Sequence, residues 1–234
     1  MCDFLRVHQY WVKNGGTITA DKPANYYTET DFSAPFAAAI ATKPDVMLIG
    51  GPSATTALVI EQARSMGFKG GFIMIDQAKQ DYIAKLLRGT KVVGNLIGTG
   101  GVVSVPFPGA TIFEKRFTEQ YKKMVTWECT LNYTAVHVLA RAIENAGTVS
   151  DVYKIRDAFP KVLANGLLDD KFPNEEFGIE KSGRMHIAAS VQTITDGKSD
   201  PSSLYVWWTK TQKEFDVIKK RSAAKQNDII WMKF

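Results

Sequence analysis

Residues 44–76 read PDVMLIGGPSATTALVIEQARSMGFKGGFIMID. Val46–Ile49 is an apolar run too short for a helix, and Gly50, Gly51 and Pro52 stop it. Such a run, bounded by turn residues, reads as a strand covered on both faces. Ser53 then stands at a helix N-cap position. Leu58, Ala63 and Met66 form an inward stripe, with Glu61 and Arg64 facing water. Gly67 suits a left-handed C-terminal cap. Phe72–Ile75 is a second buried strand, and it ends on Asp76. Crossovers of this βαβ type are nearly always right-handed and parallel. Ligands of open parallel sheets gather outside the carboxyl ends of the strands. Here those ends carry Gly51, Pro52 and Ser53 after the first strand, and Asp76 and Gln77 after the second.

On the N-terminal side, residues 1–14 have the spacing of a helix, with Phe4, Val7, Trp11 and Val12 on one side and Gly15–Gly16 closing it. Residues 16–20 (GTITA) read as a strand. Residues 30–33 open a helix that tolerates Pro35 in its first turn, with Phe36, Ala39 and Ile40 inward. On the C-terminal side a short helix is expected over 81–87 and a strand over 92–97. Gly98–Pro108 (GTGGVVSVPFP) has the character of a crossing between layers or lobes. A helix over 110–125 carries Phe113, Phe117 and Tyr121. In the next, Tyr133, Val136, Ala140 and Ile143 trace one face. A third spans 152–159 and ends at Pro160. From Asn174 the pattern turns to β: 176–179, a Ser182–Gly183 turn, 185–195, an Asp196–Gly197 turn, and 205–209. The fold class is therefore α/β.

The chain has 234 residues, 45% hydrophobic and 23% charged, the composition of an ordinary globular protein. No run approaches the roughly 18 apolar residues a membrane span needs. The net charge of +5 gathers in the C-terminal end, where Lys210, Lys213, Lys219, Lys220, Arg221, Lys225 and Lys233 surround Glu214 and Asp216. Such a run is read as a solvated end, and no nucleic acid partner is expected. Cys2 and Cys129 stand apart and the three His are scattered, so neither a disulfide framework nor a zinc spacing is present. Gly50–Gly51 lacks the Lys-Ser/Thr of a phosphate loop. No Ser/His/Asp or Cys/His set emerges, and neither catalysis nor a metal or cofactor is expected.

Several pieces together carry a family resemblance. They are Tyr27–Phe32 (YTETDF) with its helix, Pro44–Asp45 leading into Gly50–Gly51, Glu61–Gly67 (EQARSMG), Tyr133–Val136 (YTAV) through Ala142–Gly147 (AIENAG), and the Gly178…Gly183 region. In this order and spacing, over about residues 4–200, the chain resembles the type I periplasmic solute-binding proteins of ABC importers for branched-chain amino acids and related molecules. The resemblance implies doubly wound parallel sheets in two lobes joined by three crossings, with the solute caught in the cleft. It implies a second-lobe α/β domain over 1–100 lacking its first strand. Residues 101–185 would be a helical and β segment of the first lobe, and 186–234 a return crossing with the C-terminal tail. The chain then looks N-terminally truncated, starting one turn into a helix. Residues 110–165 would pack on a sheet the chain does not contain, leaving an apolar face for a partner chain, an oligomer or the rest of a longer protein.

The same resemblance places Asp76 at the strand-end acid that pairs with a ligand ammonium, a charge-assisted hydrogen bond. The other reading of Asp76 is a cap for the helix near Ala78. Pro52–Ser53 stands where branched-chain amino acid binders often have tyrosine, which argues for a different solute. Ser53 either caps its own helix or offers its hydroxyl and the helix N-terminus to an anionic group. Gly51 and Gln77 complete these loops, and Trp127 falls near an aromatic cleft contact of the family. The implied protein binds a small polar molecule, an amino acid or amide, in the periplasm or outside the cell, and delivers it to a membrane permease. The same fold also serves as the ligand domain of receptors and regulators. A flavodoxin-like or nucleotide-binding enzyme is the reading from another class.

Overall fold

In the computed structural model, which describes residues 4–25, 27–75, 79–99, 108–163 and 172–233, the 44–76 stretch forms the expected βαβ unit. The chain divides into two units, residues 1–99 with 192–200 and residues 100–191 with 201–234, and passes between them after Thr99, Val191 and Asp200.

The first unit begins with α1 (Phe4–Lys13) and α2 (Ser33–Ile40). β1 (Val46–Gly50) pairs in parallel with β2 (Gly71–Ile75) over its whole length, from Val46↔Gly71 to Gly50↔Ile75. α3 (Ser53–Ser65) connects them. α4 (Gln80–Leu86) follows, and β3 (Leu96–Thr99) pairs in parallel with β2. The apolar core lies between helices and sheet, with Ile60, Ala63, Phe72, Ile83 and Val93 almost wholly enclosed.

Several local expectations change. Residues 16–20 contain no regular strand: their β propensity finds no neighbouring strand to pair with, and β1 closes that side of the sheet order. The buried residues of α3 are Ser53, Thr56, Ala57, Val59, Ile60 and Ala63, while Leu58 and Met66 are only half-buried. Arg64 does not simply face water. Its guanidinium donates to the carbonyls of Phe68, Gly70, Val92 and Val93. Gly67 does take a left-handed conformation (φ +90°), which lets Phe68 N–H reach back to the Ala63 carbonyl. The strand expected at 92 starts at Leu96, because Lys91–Val93 form a turn.

The second unit starts with α5 (Pro108–Tyr121), α6 (Trp127–Ala146) and α7 (Val152–Leu163). Pro160 lies inside α7 and does not end it. On α6 the enclosed residues are Thr130, Thr134, Val138 and Ala142, whereas Val136 is 66% and Leu139 44% exposed. Two stripes on this helix satisfy a helical spacing, the expected one in steps of three and four and the enclosed one in steps of four. The one with the smaller side chains turns inward, where Ala142 meets Ile155 and Ala158 of α7.

β4 (Glu176–Ile179) and β5 (Met185–Ile187) form an antiparallel pair. The run read as one strand from 185 to 195 breaks after Ile187. Its second part is β6 (Ala189–Thr195), which belongs to another sheet. β6 turns at Asp196–Gly197 into β7 (Lys198–Ser199), and residues 189–191 pair with β8 (Ser203–Val206).

The basic end is not a loose tail. It folds into α8 (Gln212–Arg221) and β9 (Ile229–Trp231), the latter parallel to β8, with Phe215, Ile218 and Ile229 in a core with Val206. A reciprocal cap starts α8: Glu214 N–H donates to the Thr211 hydroxyl, and Thr211 N–H to the Glu214 carboxylate. Thr211→Ala is expected to destabilise this end by about 1 kcal/mol. Faster amide exchange across 212–216 would show it, and unchanged exchange would mean that Phe215 packing alone holds the helix.

Candidate functional site

Because Gly50 pairs with Ile75, the loops that follow β1 and β2 leave the sheet side by side. The first is Gly51–Pro52. Pro52, extended at φ −60° and ψ 149°, takes the N-cap position, and Ser53 is the first residue of α3. The expectation that Ser53 caps its own helix is therefore corrected. Its hydroxyl instead accepts the Lys79 N–H at 2.9 Å, at the start of α4. This bond fastens the loop after β1 to the loop after β2. Ser53 is 6% exposed, and the Thr56 hydroxyl donates to the Gly51 carbonyl at 3.3 Å, so the first loop is held from both sides. Asp76 and Gln77 lie outside the described residues. What is fixed here is a frame: the first residue of α3 is fastened through its hydroxyl to the residue that precedes α4.

A cavity of about 1030 Å³ lies in the same unit. All of β1 borders it, together with Gly51, Thr55 and Thr56 and residues 15–24. It does not reach the Ser53 hydroxyl. Trp127 belongs to the second unit, where it opens α6 half-buried.

Two constellations were not foreseen. In the second unit the Arg184 guanidinium lies 3.5 Å from the centre of the Trp207 ring, and His186 stacks on Trp208 at 5.1 Å. Glu180 reaches His186 Nε2 at 3.5 Å. The residue spacing gives no warning of this, since β5 with the residue that leads into it and the two residues after β8 supply the two halves. The other is Glu176, enclosed in β4, whose carboxyl burial pushes up to about 8. Its neighbour Glu175 is also raised by burial, against hydrogen bonds from Ser222 and Ala223. Among the described residues no group of three His, Cys, Asp or Glu is placed to hold a metal, and no helix is long and apolar enough to cross a membrane.

The Gln62 side chain joins two of the motifs quoted above, accepting from Phe32 N–H at 2.8 Å and donating to the Thr30 carbonyl at 2.9 Å. The family model described as periplasmic binding protein matches residues 6–198. The chain belongs to this family. Its sheet order, parallel strands and alternating helices are those of the type I periplasmic binding fold.

A leucine-binding protein of Thermotoga maritima MSB8 is 25% identical, with a TM-score of 0.66 over 84% of this chain and 54% of its own. A branched-chain amino acid binding protein of Streptococcus pneumoniae, solved with isoleucine, is 16% identical with a TM-score of 0.64, over 87% of this chain and 57% of its own. A solute-binding protein of R. palustris, solved with benzoate, is 13% identical with a TM-score of 0.66, over 84% and 52%. This periplasmic binding protein thus spans just over half the length of these solved relatives. No curated protein matches it significantly. Its family is one of solute-binding proteins rather than enzymes.

Proposed function

We propose that this chain forms part of the solute-binding protein of an ABC-type importer and holds a small polar molecule such as an amino acid or amide, without catalysis. The observation that carries this reading is the Ser53–Lys79 bond, which pins together the loops at the carboxyl ends of β1 and β2. A carboxylate or amide oxygen of the solute meets the first N–H groups of α3, where backbone donors and the helix dipole favour negative charge. Its ammonium or amide N–H meets Asp76. Gly51 and Pro52 let the backbone approach, Gln77 lies next to Asp76, and Trp127 is a further candidate contact. The protein works in the periplasm or outside the cell, and its loaded form is read by the importer's membrane permease.

Calorimetry of the 234-residue chain with a panel of amino acids and amides tests this. Asp76→Ala is expected to weaken binding of an amine-bearing solute by about 1.5–3 kcal/mol, the worth of a hydrogen bond to a charged group. Unchanged affinity removes Asp76 from the site. Absence of binding across the whole panel removes the solute class.

A further inference from the structure

Lys79 is the N-cap of α4 and Gln80 its first residue, and the two bond in different directions. The Lys79 N–H donates to the Ser53 hydroxyl at the start of α3, at 2.9 Å. The Gln80 side chain is 2% exposed, and its Nε2 donates to the Gln192 carbonyl at 2.7 Å. Gln192 is the first residue of this unit after the chain re-enters it, and Asp200 is the last before it leaves again. The buried Gln192 side chain donates from its own Nε2 to the Asp200 carbonyl at 2.8 Å. The Asp200 N–H returns to the Thr193 carbonyl at 2.9 Å, and the Thr193 and Thr195 hydroxyls both donate to the Asp200 carboxylate. Entry and exit therefore form one ribbon, and Gln80 holds its end.

The first passage out of the unit lies against the same amide. β3 neighbours β6 in the sheet order and ends at Thr99, the residue at which the chain first leaves. One residue earlier, a Cβ on Gly98 would stand 3.3 Å from Gln80 Nε2 and 3.1 Å from the Met74 Cβ. Glycine keeps that approach open. As a mere filler, a carboxamide is a poor choice here. Gln80 Oε1 is buried with no hydrogen-bond partner among the described residues, and methionine would fill similar space without that penalty. What glutamine adds is the bond to the ribbon.

We infer that Gln80 is a positioning residue that couples the loops after β1 and β2 to the strands by which the chain leaves and re-enters this unit. Lys79 and Gln80 are adjacent in the chain, so a displacement of one reaches the other, and the Gln192 carbonyl follows. Buried, serially bonded groups of this kind are the material through which distant positions influence each other. What the coupling serves rests on the proposed reading that a solute sits at those loops. A solute that shifts Lys79 then shifts the crossing strands through Gln80.

Amide hydrogen exchange in the 234-residue chain tests the coupling as a double-mutant cycle with no solute present. Ser53→Ala removes the hydroxyl that the Lys79 N–H reaches. Gln80→Met removes the donor and keeps the size, and Gln80→Leu is a second filler of the same kind. The Asp200 amide reads the ribbon. The Phe72 amide, bonded to the Asn95 carbonyl at 2.9 Å, reads any loss of stability in the unit as a whole. Ser53→Ala should speed exchange at Asp200 at least about threefold more than at Phe72. That excess should vanish when Gln80 is methionine or leucine. Equal effects at Asp200 and Phe72 in the Ser53→Ala variant alone overturn the inference, and so does an excess that persists without the Gln80 donor. Because the cycle contains no solute, its failure is distinct from failure of the solute reading, which calorimetry decides.

Discussion

Arg64→Ala is expected to destabilise the first unit by about 3–4 kcal/mol, although the residue sits in the last turn of a helix where sequence alone reads it as solvent-facing. Nη1 donates to the Phe68 carbonyl at 2.7 Å and the Gly70 carbonyl at 2.8 Å, Nη2 to Val93 at 2.6 Å, and Nε to Val92 at 3.2 Å. One planar cation thus holds the α3–β2 connection against the turn that precedes β3. The guanidinium also lies 4.5 Å from the centre of the Phe72 ring and 5.3 Å from that of Phe68. Burial pulls its pKa below the usual arginine value, yet arginine stays charged throughout the working range.

Removing the side chain strands several carbonyls that water reaches poorly. Each stranded group costs on the order of 1–3 kcal/mol, softened here because the Val92 bond is exposed. Arg64→Lys separates charge from geometry. An ammonium keeps the charge but cannot span four carbonyls on two segments, so it should recover less than half of the loss. Urea unfolding measures both. A loss under about 1 kcal/mol for alanine, or full rescue by lysine, would show that the fork does not hold these segments together.

The 44–76 stretch was legible because its apolar runs, glycine punctuation and helix spacing all describe one local unit, and local units do not depend on distant partners. The α/β class rests chiefly on it, and the family resemblance on this stretch together with Tyr27–Phe32, Tyr133–Gly147 and the Gly178…Gly183 region. What failed depended on partners. GTITA has strand chemistry, but a strand exists only when another pairs with it. Of the stripe read as the core face of α6, Tyr133 and Ile143 pack against the core clusters while Val136 and Ala140 are exposed, and Ala142, on the neighbouring stripe, meets Ile155 and Ala158 of α7. Thr211 and Glu214 stand at capping-box spacing, but the Lys and Arg crowding 210–225 give the segment the composition of a solvated end, which hides the helix. At the site, neighbouring loops could be inferred from strand direction. The Ser53–Lys79 bond could not, since nothing across a separation of 26 positions says which hydroxyl meets which N–H.

The stability of the folded chain is expected to fall as pH rises from about 4.5 to about 8, and Glu176 is the main reason. Its carboxyl is fully enclosed, neither oxygen has a hydrogen-bond partner among the described residues, and burial pushes its pKa up to about 8 from the ordinary 4.5. Between those values the folded chain keeps a proton that the unfolded chain has released. Folding there takes up a proton, so each pH unit upward removes roughly 1.4 kcal/mol. Over the window the loss is on the order of 4–5 kcal/mol, complete above pH 8 and absent below 4.5. Glu175 is shifted in the same direction, so it adds a smaller slope of the same sign. Glu176→Gln keeps the shape and cannot ionise. It should flatten most of the dependence and leave the variant more stable than the parent at pH 8, with little difference at pH 4.5. Urea midpoints across pH 4–9 decide the matter. A parent whose stability does not decline through neutral pH, or a glutamine variant with the parent's slope, would mean that the Glu176 carboxylate is solvated or paired in solution.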